Sequence, residues 1–212
     1  MHVNIKICGI TSESARDAAV EAGADAIGFV FAEGSPRDIA PDRAAELARE
    51  LPPFVTSVAV FRRPSRDEVA QVLECFPADI VQLDAESMAD CSGLGARLLP
   101  VFHDSPQFDE SLTGYEINQQ INHLLFESAL SGQGAQADWE RAGRLAQRFP
   151  HLVLAGGLDP DNVAQAIRRV RPCAVDVSSG VESSRGVKDN ARIQAFVAAV
   201  RATELRLEEV GE

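Results

Sequence analysis

Residues 151–180, HLVLAGGLDPDNVAQAIRRVRPCAVDVSSG, carry the pattern that decides the fold. The segments at 151–155 and 174–178 are short and mainly apolar, as expected for buried strands. Between them, apolar residues recur at the helical spacing i, i+3, i+4, i+7: Val163, Ala166, Ile167 and Val170. Asp159-Pro160 is a typical helix start, because a capping side chain precedes proline at the first helical position. The stretch therefore predicts a strand, a helix and a second strand parallel to the first.

The same alternation extends outward to both ends of the chain. Eight short segments are predicted strands: Val3–Cys8, Asp25–Phe31, Phe54–Phe61, Asp79–Leu83, Arg97–Phe102, Asn122–Phe126, His151–Ala155 and Ala174–Ser178. Helical patterns lie between them, and Ser65-Arg66-Asp67-Glu68 has the sequence of a capping box. The fourth and fifth helices, expected at Ala85–Ala96 and Phe108–Gln120, have the weakest patterns. Alternating strands and helices indicate a parallel α/β fold.

Periodicity alone fits both a closed barrel and an open, doubly wound sheet. No G-x-G-x-x-G motif follows the first strand, which disfavours the dinucleotide-binding form of the open sheet. No long linker divides the chain, so residues 1–212 are predicted to form one domain. The Gly/Ser/Gln-rich segment Ser128–Ala137 is predicted to be a flexible active-site loop.

Composition restricts the partners and the compartment. The 212 residues carry a formal net charge of −12, which disfavours nucleic acids and anionic membranes as partners. An anionic ligand would therefore need a locally positive site. The 4 cysteines form no C-x-x-C pair, which disfavours a disulfide framework or structural zinc. No signal peptide or apolar segment of membrane-spanning length is apparent, so a cytoplasmic location is predicted.

Two strand ends carry glycines suited to binding a phosphate group. Gly156-Gly157 follows the seventh predicted strand, and Ser179-Gly180 follows the eighth. Glycine allows a ligand to approach backbone N–H groups closely, and adjoining N–H groups can hold an anion without a lysine. Two ordinary tight turns are the alternative. Their pairing after strands seven and eight, where barrels commonly bind phosphate, favours the functional interpretation.

Several reactive or charged residues lie at the other predicted strand ends. Cys8 closes the first strand, where a cysteine is either an inert core residue or a functional thiol. Glu127 follows an apolar run and needs a solvent-facing mouth or a role, because burying an unpaired carboxylate is costly. Arg37 on a Ser-Pro-Arg turn is either a solvated loop residue or a cation for an anionic ligand. Asp84 and Asp176 are likewise either ordinary solvated residues or functional ones.

The sequence resembles the phosphoribosylanthranilate isomerase family along nearly its whole length. The motifs that carry the resemblance are Lys6–Thr11 (KICGIT), Gly28–Phe31 (GFVF), Ser35-Pro36-Arg37, Ala155–Leu158 (AGGL), Asn162-Val163, Asp176–Glu182 (DVSSGVE) and Lys188-Asp189. They occur in the family's order at both ends of the chain. The resemblance implies a (β/α)8 TIM barrel and an aldose–ketose isomerase of tryptophan biosynthesis. It further implies an Amadori rearrangement of a small phosphorylated substrate, with no metal or organic cofactor.

The resemblance also implies a role for each candidate residue. Cys8 matches the family's general base, and Glu127 stands where the family has its general acid, an aspartate. Arg37 matches the arginine that pairs with the anthranilate carboxylate. The remaining matched residues are expected to bind the substrate, mainly its phosphate group: Gly156, Gly157, Asp176, Ser179 and Gly180.

Two parts of the sequence depart from the family pattern, at three positions. Glu127 replaces an aspartate, and Asp84-Ala85 replaces the histidine and glycine of the family's V-Q-L-H-G block. These departures leave two alternatives open: a related barrel isomerase for another aminated ribose phosphate, or a catalytically silent relative that binds a phosphorylated metabolite or a partner protein. The chain is expected to act as a monomer or a homodimer.

Overall fold

The computed structural model describes residues 2–105, 108, 123–129 and 134–209. Eight parallel strands close into a barrel in chain order: β1 (Asn4–Cys8), β2 (Ala26–Phe31), β3 (Thr56–Phe61), β4 (Ile80–Asp84), β5 (Arg97–Asp104), β6 (His123–Ser128), β7 (His151–Leu154) and β8 (Ala174–Val177). The (β/α)8 barrel implied by the resemblance is confirmed, and the open sheet that periodicity also allowed is wrong.

Within the described residues, a helix follows every strand of the barrel except β5. The helices are α1 (Glu13–Ala22), α2 (Pro41–Arg49), α3 (Arg66–Cys75), α4 (Met88–Cys91), α5 (Trp139–Arg148), α6 (Val163–Val170) and α7 (Asn190–Glu209). A 3-10 turn at Ser179–Val181 and a hairpin of β9 (Glu182–Ser184) and β10 (Val187–Lys188) follow β8. Within the ranges described above, no helix combines the length and the apolar character needed to traverse a bilayer.

Local capping chemistry explains two helix starts. The predicted capping box at Ser65–Glu68 is confirmed, with both of its reciprocal hydrogen bonds present. Helix α6 starts at Val163, three residues later than the Asp159-Pro160 pattern predicted. The Asp159 side chain instead accepts hydrogen bonds of 2.9 Å from the amides of Asp161 and Asn162, which holds a turn before the helix.

The two weakest helix predictions have different outcomes. The helix expected at Ala85–Ala96 is wrong in length, because the only α-helical turn in this interval is Met88–Cys91. Gly93 and Gly95 adopt positive φ angles of 76° and 89°, which no helix can continue through. The helix expected at Phe108–Gln120 lies outside the described residues except for Phe108.

Strands β5 and β6 each extend two residues beyond their predicted ends. Strand β5 continues through His103 to Asp104, and β6 continues through Glu127 to Ser128. The parallel register pairs His103 with Glu127 directly. Because side chains alternate across a strand, the two residues point to the same side of the barrel wall.

Alternation along the strands also separates two kinds of core. Outward-facing side chains such as Leu124 and Phe126 are fully buried against the helices. Inward-facing Val101, Leu125 and Ala155 form a small separate apolar cluster inside the barrel. Above this cluster, toward the C-terminal ends of the strands, the inward-facing residues become polar, and these residues form the site.

Candidate functional site

A cavity of about 280 Å³ opens at the C-terminal mouth of the barrel. Four of the predicted site residues line it: Cys8, Arg37, Glu127 and Asp176. Its charged or polar lining also contains residues for which no role was predicted: Arg62, Gln82, His103 and Arg185. The thiol and the carboxyl group therefore share one cavity large enough for a small ligand.

Cys8 ends β1 inside the barrel with 6% of its surface exposed. Gly28 on the neighbouring strand leaves room for the thiol, since a Cβ atom at Gly28 would lie 3.0 Å from Cys8 Sγ. Burial raises the pKa of the Cys8 thiol above its usual value, and the Lys6 ammonium only partly opposes this rise. The site therefore holds the thiol mostly protonated at neutral pH.

A buried ion pair lies directly beneath the thiol. Lys6 Nζ donates to Asp176 Oδ1 at 2.9 Å, and both side chains are less than one-tenth exposed. Burial disfavours the charged lysine, but the Asp176 carboxylate outweighs this effect and raises the pKa of Lys6. Asp176 lines the cavity, as expected for a binding residue, but the pairing directs its charge toward Lys6.

Arg37 reaches the cavity through an unusual packing arrangement. Gly9 has φ +78°, and a Cβ atom there would lie 2.6 Å from Arg37 Cδ. The absence of a side chain at Gly9 thus creates the space that the arginine occupies. Arg37 Nε and Nη2 donate to the two carboxylate oxygens of Glu182 at 2.7 and 3.0 Å. The guanidinium is therefore oriented by an internal carboxylate.

Glu182 also pairs with a second cation and accepts a hydrogen bond from a backbone amide. Lys188 Nζ donates to Glu182 Oε1 at 2.9 Å, and the Gly186 amide donates to Oε2 at 3.0 Å. Burial opposes ionisation of Glu182, but Arg37 and then Lys188 lower its pKa to about 2. Two cations against one carboxylate leave this cluster with a net positive charge, which suits an anionic ligand in a strongly acidic chain.

Glu127 stands in a row with two other titratable side chains. His103 Nε2 and Asp84 Oδ1 are 2.8 Å apart, and Asp84 also accepts a hydrogen bond from the Arg63 amide. The hydrogen bond to Asp84 raises the pKa of His103, burial opposes this, and the Glu127 charge raises it further. The row Asp84, His103 and Glu127 follows neighbouring strands β4, β5 and β6 along one side of the mouth.

The predicted glycines bring three loops into close contact beside the cavity. A Cβ atom at Gly180 would lie 1.9 Å from the Leu158 carbonyl oxygen, so only glycine fits. Gly156 and Gly157 have φ values of +87° and +65°, and a Cβ atom at Gly157 would lie 2.7 Å from the Gln136 backbone. The loops after β6, β7 and β8 therefore pack backbone against backbone.

This packing leaves a set of donors available. Within the described residues, the amide N–H groups of Gly157, Ser179 and Gly180 donate to no acceptor. Arg192 caps the Gly180 carbonyl oxygen through Nε and Nη2, at 3.1 and 2.9 Å. Ser178 lines the 280 Å³ cavity, whereas the predicted binding residues Gly156, Gly157, Ser179 and Gly180 do not.

Sequence reasoning missed the residues whose importance depends on distant partners. His103 was placed beyond the end of β5, although the alternation of Val101 and His103 would have indicated an inward-facing position. Gln82 also faces the cavity, and its buried Oε1 accepts no hydrogen bond from the described residues. In that same part of the chain, no cluster of three or more His, Cys, Asp or Glu residues has the arrangement of a metal site.

Comparison with known proteins identifies close relatives of this chain. Residues 5–199 match the sequence model of a family described as N-(5'phosphoribosyl)anthranilate (PRA) isomerase. An N-(5'-phosphoribosyl)anthranilate isomerase of Dechloromonas aromatica is 43% identical over 208 residues, covering 96% of this chain and 99% of the relative. One from Pseudomonas aeruginosa (strain UCBPP-PA14) is 45% identical over 204 residues, covering 94% and 96%.

Solved structures agree with the sequence relatives. Phosphoribosyl anthranilate isomerase of Thermotoga maritima superposes with a TM-score of 0.82 at 36% identity, covering 94% of this chain and 99% of that one. A structure of the isomerase in complex with reduced 1-(o-carboxyphenylamino)-1-deoxyribulose 5-phosphate has a TM-score of 0.80 at 34% identity, with the same coverage.

Proposed function

This chain belongs to the family of N-(5'-phosphoribosyl)anthranilate isomerases, and on that premise we propose that Cys8 and Glu127 are its catalytic base and acid. The enzyme is an aldose–ketose isomerase of tryptophan biosynthesis. It converts N-(5-phosphoribosyl)anthranilate into 1-(2-carboxyphenylamino)-1-deoxyribulose 5-phosphate. The observation that carries the assignment is that the two side chains line one cavity at the barrel mouth.

In the proposed mechanism, the acid acts first. Glu127 gives a proton to the furanose ring oxygen, and the bond from C1 to that oxygen breaks. The substrate nitrogen donates its lone pair, which leaves an iminium at C1. The thiolate of Cys8 then removes the C2 proton, and the resulting enolamine tautomerises to the ketone. Because burial raises the pKa of Cys8, the base acts through a minor thiolate fraction.

Each charged end of the substrate has a proposed partner. The amides of Gly157, Ser179 and Gly180 bind the phosphate group, since they converge from two loops and their donors are available. Arg37 faces the anthranilate carboxylate while Glu182 holds its guanidinium in place. Gln82 accepts a hydrogen bond from a substrate hydroxyl or from the anilino N–H, which would satisfy its buried Oε1.

Turnover of purified protein with N-(5-phosphoribosyl)anthranilate, followed by the change in anthranilate fluorescence, tests the assignment. Cys8→Ala and Glu127→Gln are each expected to lower kcat by about 10²- to 10⁴-fold, as for the loss of a general acid or base. Cys91→Ala removes another buried thiol away from the cavity, and Glu74→Gln changes an exposed carboxylate; both are matched controls. Normal turnover in either active-site variant would remove that residue from the mechanism.

The proposal also includes the cellular location and the oligomeric state. The reaction takes place in the cytoplasm, in agreement with a biosynthetic enzyme family. The enzyme works as a monomer or a homodimer. The isomerase of Thermotoga maritima is described as dimeric, and monomers have been generated from it. Light scattering on purified protein distinguishes the two states.

A further inference from the structure

The Lys188 side chain lies behind the proposed active site. Lys188 belongs to β10, its side chain is only 2% exposed, and it does not line the cavity of about 280 Å³. Burial lowers the pKa of its ammonium group, and the Glu182 carboxylate opposes this only in part. Because Lys188 does not reach the cavity, any effect on the reaction has to pass through the residues that its ammonium group contacts.

The Lys188 ammonium group holds Ser178, the residue that follows β8. Its Nζ donates to the Ser178 carbonyl oxygen at 2.9 Å, to Ser178 Oγ at 3.3 Å and to Glu182 Oε1 at 2.9 Å. An ammonium group has three N–H donors, so these contacts use all of them. The Ser178 carbonyl oxygen also accepts a longer hydrogen bond, of 3.4 Å, from the Val181 amide. Ser178 is therefore fixed at both its backbone and its side chain.

The lysine also determines where the hydroxyl proton of Ser178 points. Because Lys188 Nζ can only donate, Ser178 Oγ acts as its acceptor and keeps one proton of its own to donate. That proton is directed at the carbonyl oxygen of Cys8, 3.1 Å away. The ammonium group and the backbone of the proposed base are therefore two hydrogen bonds apart.

The hydrogen bond from Ser178 to Cys8 lies where the backbone pairing of two strands ends. The parallel register of β1 and β8 has Ile7 and Val177 as its last pair. Cys8 and Ser178 are the next residues on the two chain segments, and a side chain connects them in place of the backbone ladder. The end of β1 that carries the thiol is therefore tied to the end of β8 by the Ser178 hydroxyl group.

We propose that Lys188 is a positioning residue that holds Cys8 and the phosphate loop in a fixed arrangement through Ser178. The phosphate loop is the segment Ser179-Gly180, which directly follows Ser178. This inference rests on the proposed function, because it assumes that Cys8 is the base and that the amides of the phosphate loop bind phosphate. Lys188 transfers no proton in this role, since each of its three N–H groups already has an acceptor.

The same ammonium group is also connected to the arginine of the site through Glu182. Glu182 Oε1 accepts a hydrogen bond from Lys188, while the two carboxylate oxygens accept from Arg37. Arg37, the proposed partner of the anthranilate carboxylate, is thus also two hydrogen bonds away from Lys188. A misplacement of a reacting group by about 1 Å can lower the rate by about 10²-fold. Lys188 therefore fixes the base relative to the groups that bind the two charged ends of the substrate.

Ser178→Ala tests the link to the base. The variant loses the hydroxyl group but keeps the carbonyl oxygen that Lys188 holds. We expect kcat for N-(5-phosphoribosyl)anthranilate to fall by about tenfold or more, with KM changed by less than about twofold. An unchanged kcat would overturn the inference, and so would a large rise in KM, which would mean that the hydroxyl group contacts the substrate. Ser183→Ala removes an exposed hydroxyl group from β9 and is the matched control.

Lys188→Met removes all three donors and tests the connection as a whole. Burial raises the pKa of the Cys8 thiol and the Lys188 charge opposes this rise, so kcat is compared at the optimum pH of each variant. We expect kcat to fall by about tenfold or more and KM to rise by about tenfold, because the phosphate loop also loses its anchor. In the double variant with Ser178→Ala, the loss of kcat should be clearly smaller than the product of the two single losses.

Single losses that multiply in the double variant would show a merely structural role for Lys188 and overturn the inference. Arg206→Met removes an exposed positive charge from α7 and is the matched control, with kcat and KM expected to stay constant. If Lys188→Met does not fold, the result for Ser178→Ala decides alone.

Binding of inorganic phosphate, measured by the rise in melting temperature, separates failure of this inference from failure of the proposed function. Lys188→Met should bind phosphate about tenfold more weakly than wild type, whereas Ser178→Ala should stay within about twofold of wild type. Equal affinity in wild type and Lys188→Met would overturn the inference whatever the activity. The expected affinities in a wild-type protein that does not turn over N-(5-phosphoribosyl)anthranilate would instead overturn the proposed function.

Discussion

The two ends of the site are built in different ways. At the proposed phosphate end, three loops pack backbone against backbone, and the glycines at positions 156, 157 and 180 leave no room for side chains. At the proposed acid end, the row Asp84, His103 and Glu127 is built mainly from side chains, and one backbone amide, that of Arg63, donates to Asp84. In the family resemblance, the glycine motifs after β7 and β8 at the proposed phosphate end match, whereas the proposed acid end departs at three positions: 84, 85 and 127. A backbone-built site admits few substitutions, whereas a side-chain site can accommodate exchanges among its polar residues.

The largest effect should come from adding a methyl group at the phosphate end. In Gly180→Ala the new Cβ would overlap the Leu158 carbonyl oxygen, 1.9 Å away, and the loops would have to separate. We expect the free energy of unfolding to fall by about 3 kcal/mol, with loss of stabilisation by inorganic phosphate. Urea unfolding with and without phosphate measures both effects.

Gly143→Ala is the control for that comparison. Gly143 lies inside helix α5, and its Cβ would be 3.4 Å from the carbonyl oxygen of Arg169 on helix α6. Stability should stay constant or rise by up to about 1 kcal/mol, since alanine favours a helix. Equal behaviour of the two variants would mean that the loops at the phosphate end do not require glycine.

The next effect concerns the ion cluster of Arg37, Glu182 and Lys188. Glu182→Gln removes the buried negative charge that Arg37 and Lys188 share, and we expect a loss of about 2–3 kcal/mol at pH 7. The folded-state pKa of about 2 lies below the unfolded value of 4.5. The carboxylate therefore stabilises the fold above pH 4.5, and its contribution disappears as the pH falls toward 2.

Urea midpoints of wild type and Glu182→Gln at pH 7, 4.5 and 3 measure this dependence. The difference between the two proteins should shrink steadily as the pH falls. A difference that is constant over this range would show that ionisation of Glu182 contributes nothing and that packing alone explains the loss.

The smallest effect should come from the rim of the cavity. Arg185 is exposed at the tip of the β9–β10 hairpin and lines the cavity. Arg185→Ala should raise KM for the anionic substrate by about three- to fivefold without changing kcat, because exposed charges interact weakly. The effect should decrease in 0.5 M NaCl, where screening is strong. Arg168→Ala on the surface of α6 is the control; an equal rise in KM there would assign the effect to overall charge.

Much of the fold and part of the site could be predicted from local pattern. The capping box at Ser65 and the glycines after β7 and β8 act within a few residues of chain, so their sequence spacing carries the information. Cys8 and Glu127 could be placed at strand ends for the same reason. The length of α4 could not be predicted, because the positive φ angles at Gly93 and Gly95 depend on how that loop crosses the barrel end.

The sequence by itself determined the alternation of strands and helices, the glycine turns and the positions of the thiol and the carboxyl group. Only the tertiary structure decided which charges are paired. Lys6 and Asp176 are 170 residues apart in the chain, and Arg37 and Glu182 are 145 apart. Closure of the barrel brings such pairs to hydrogen-bonding distance, whereas periodicity reports only on neighbours within one or two turns of the chain. The protonation state of each group follows from those long-range contacts, because burial and the nearest opposite charge determine its pKa.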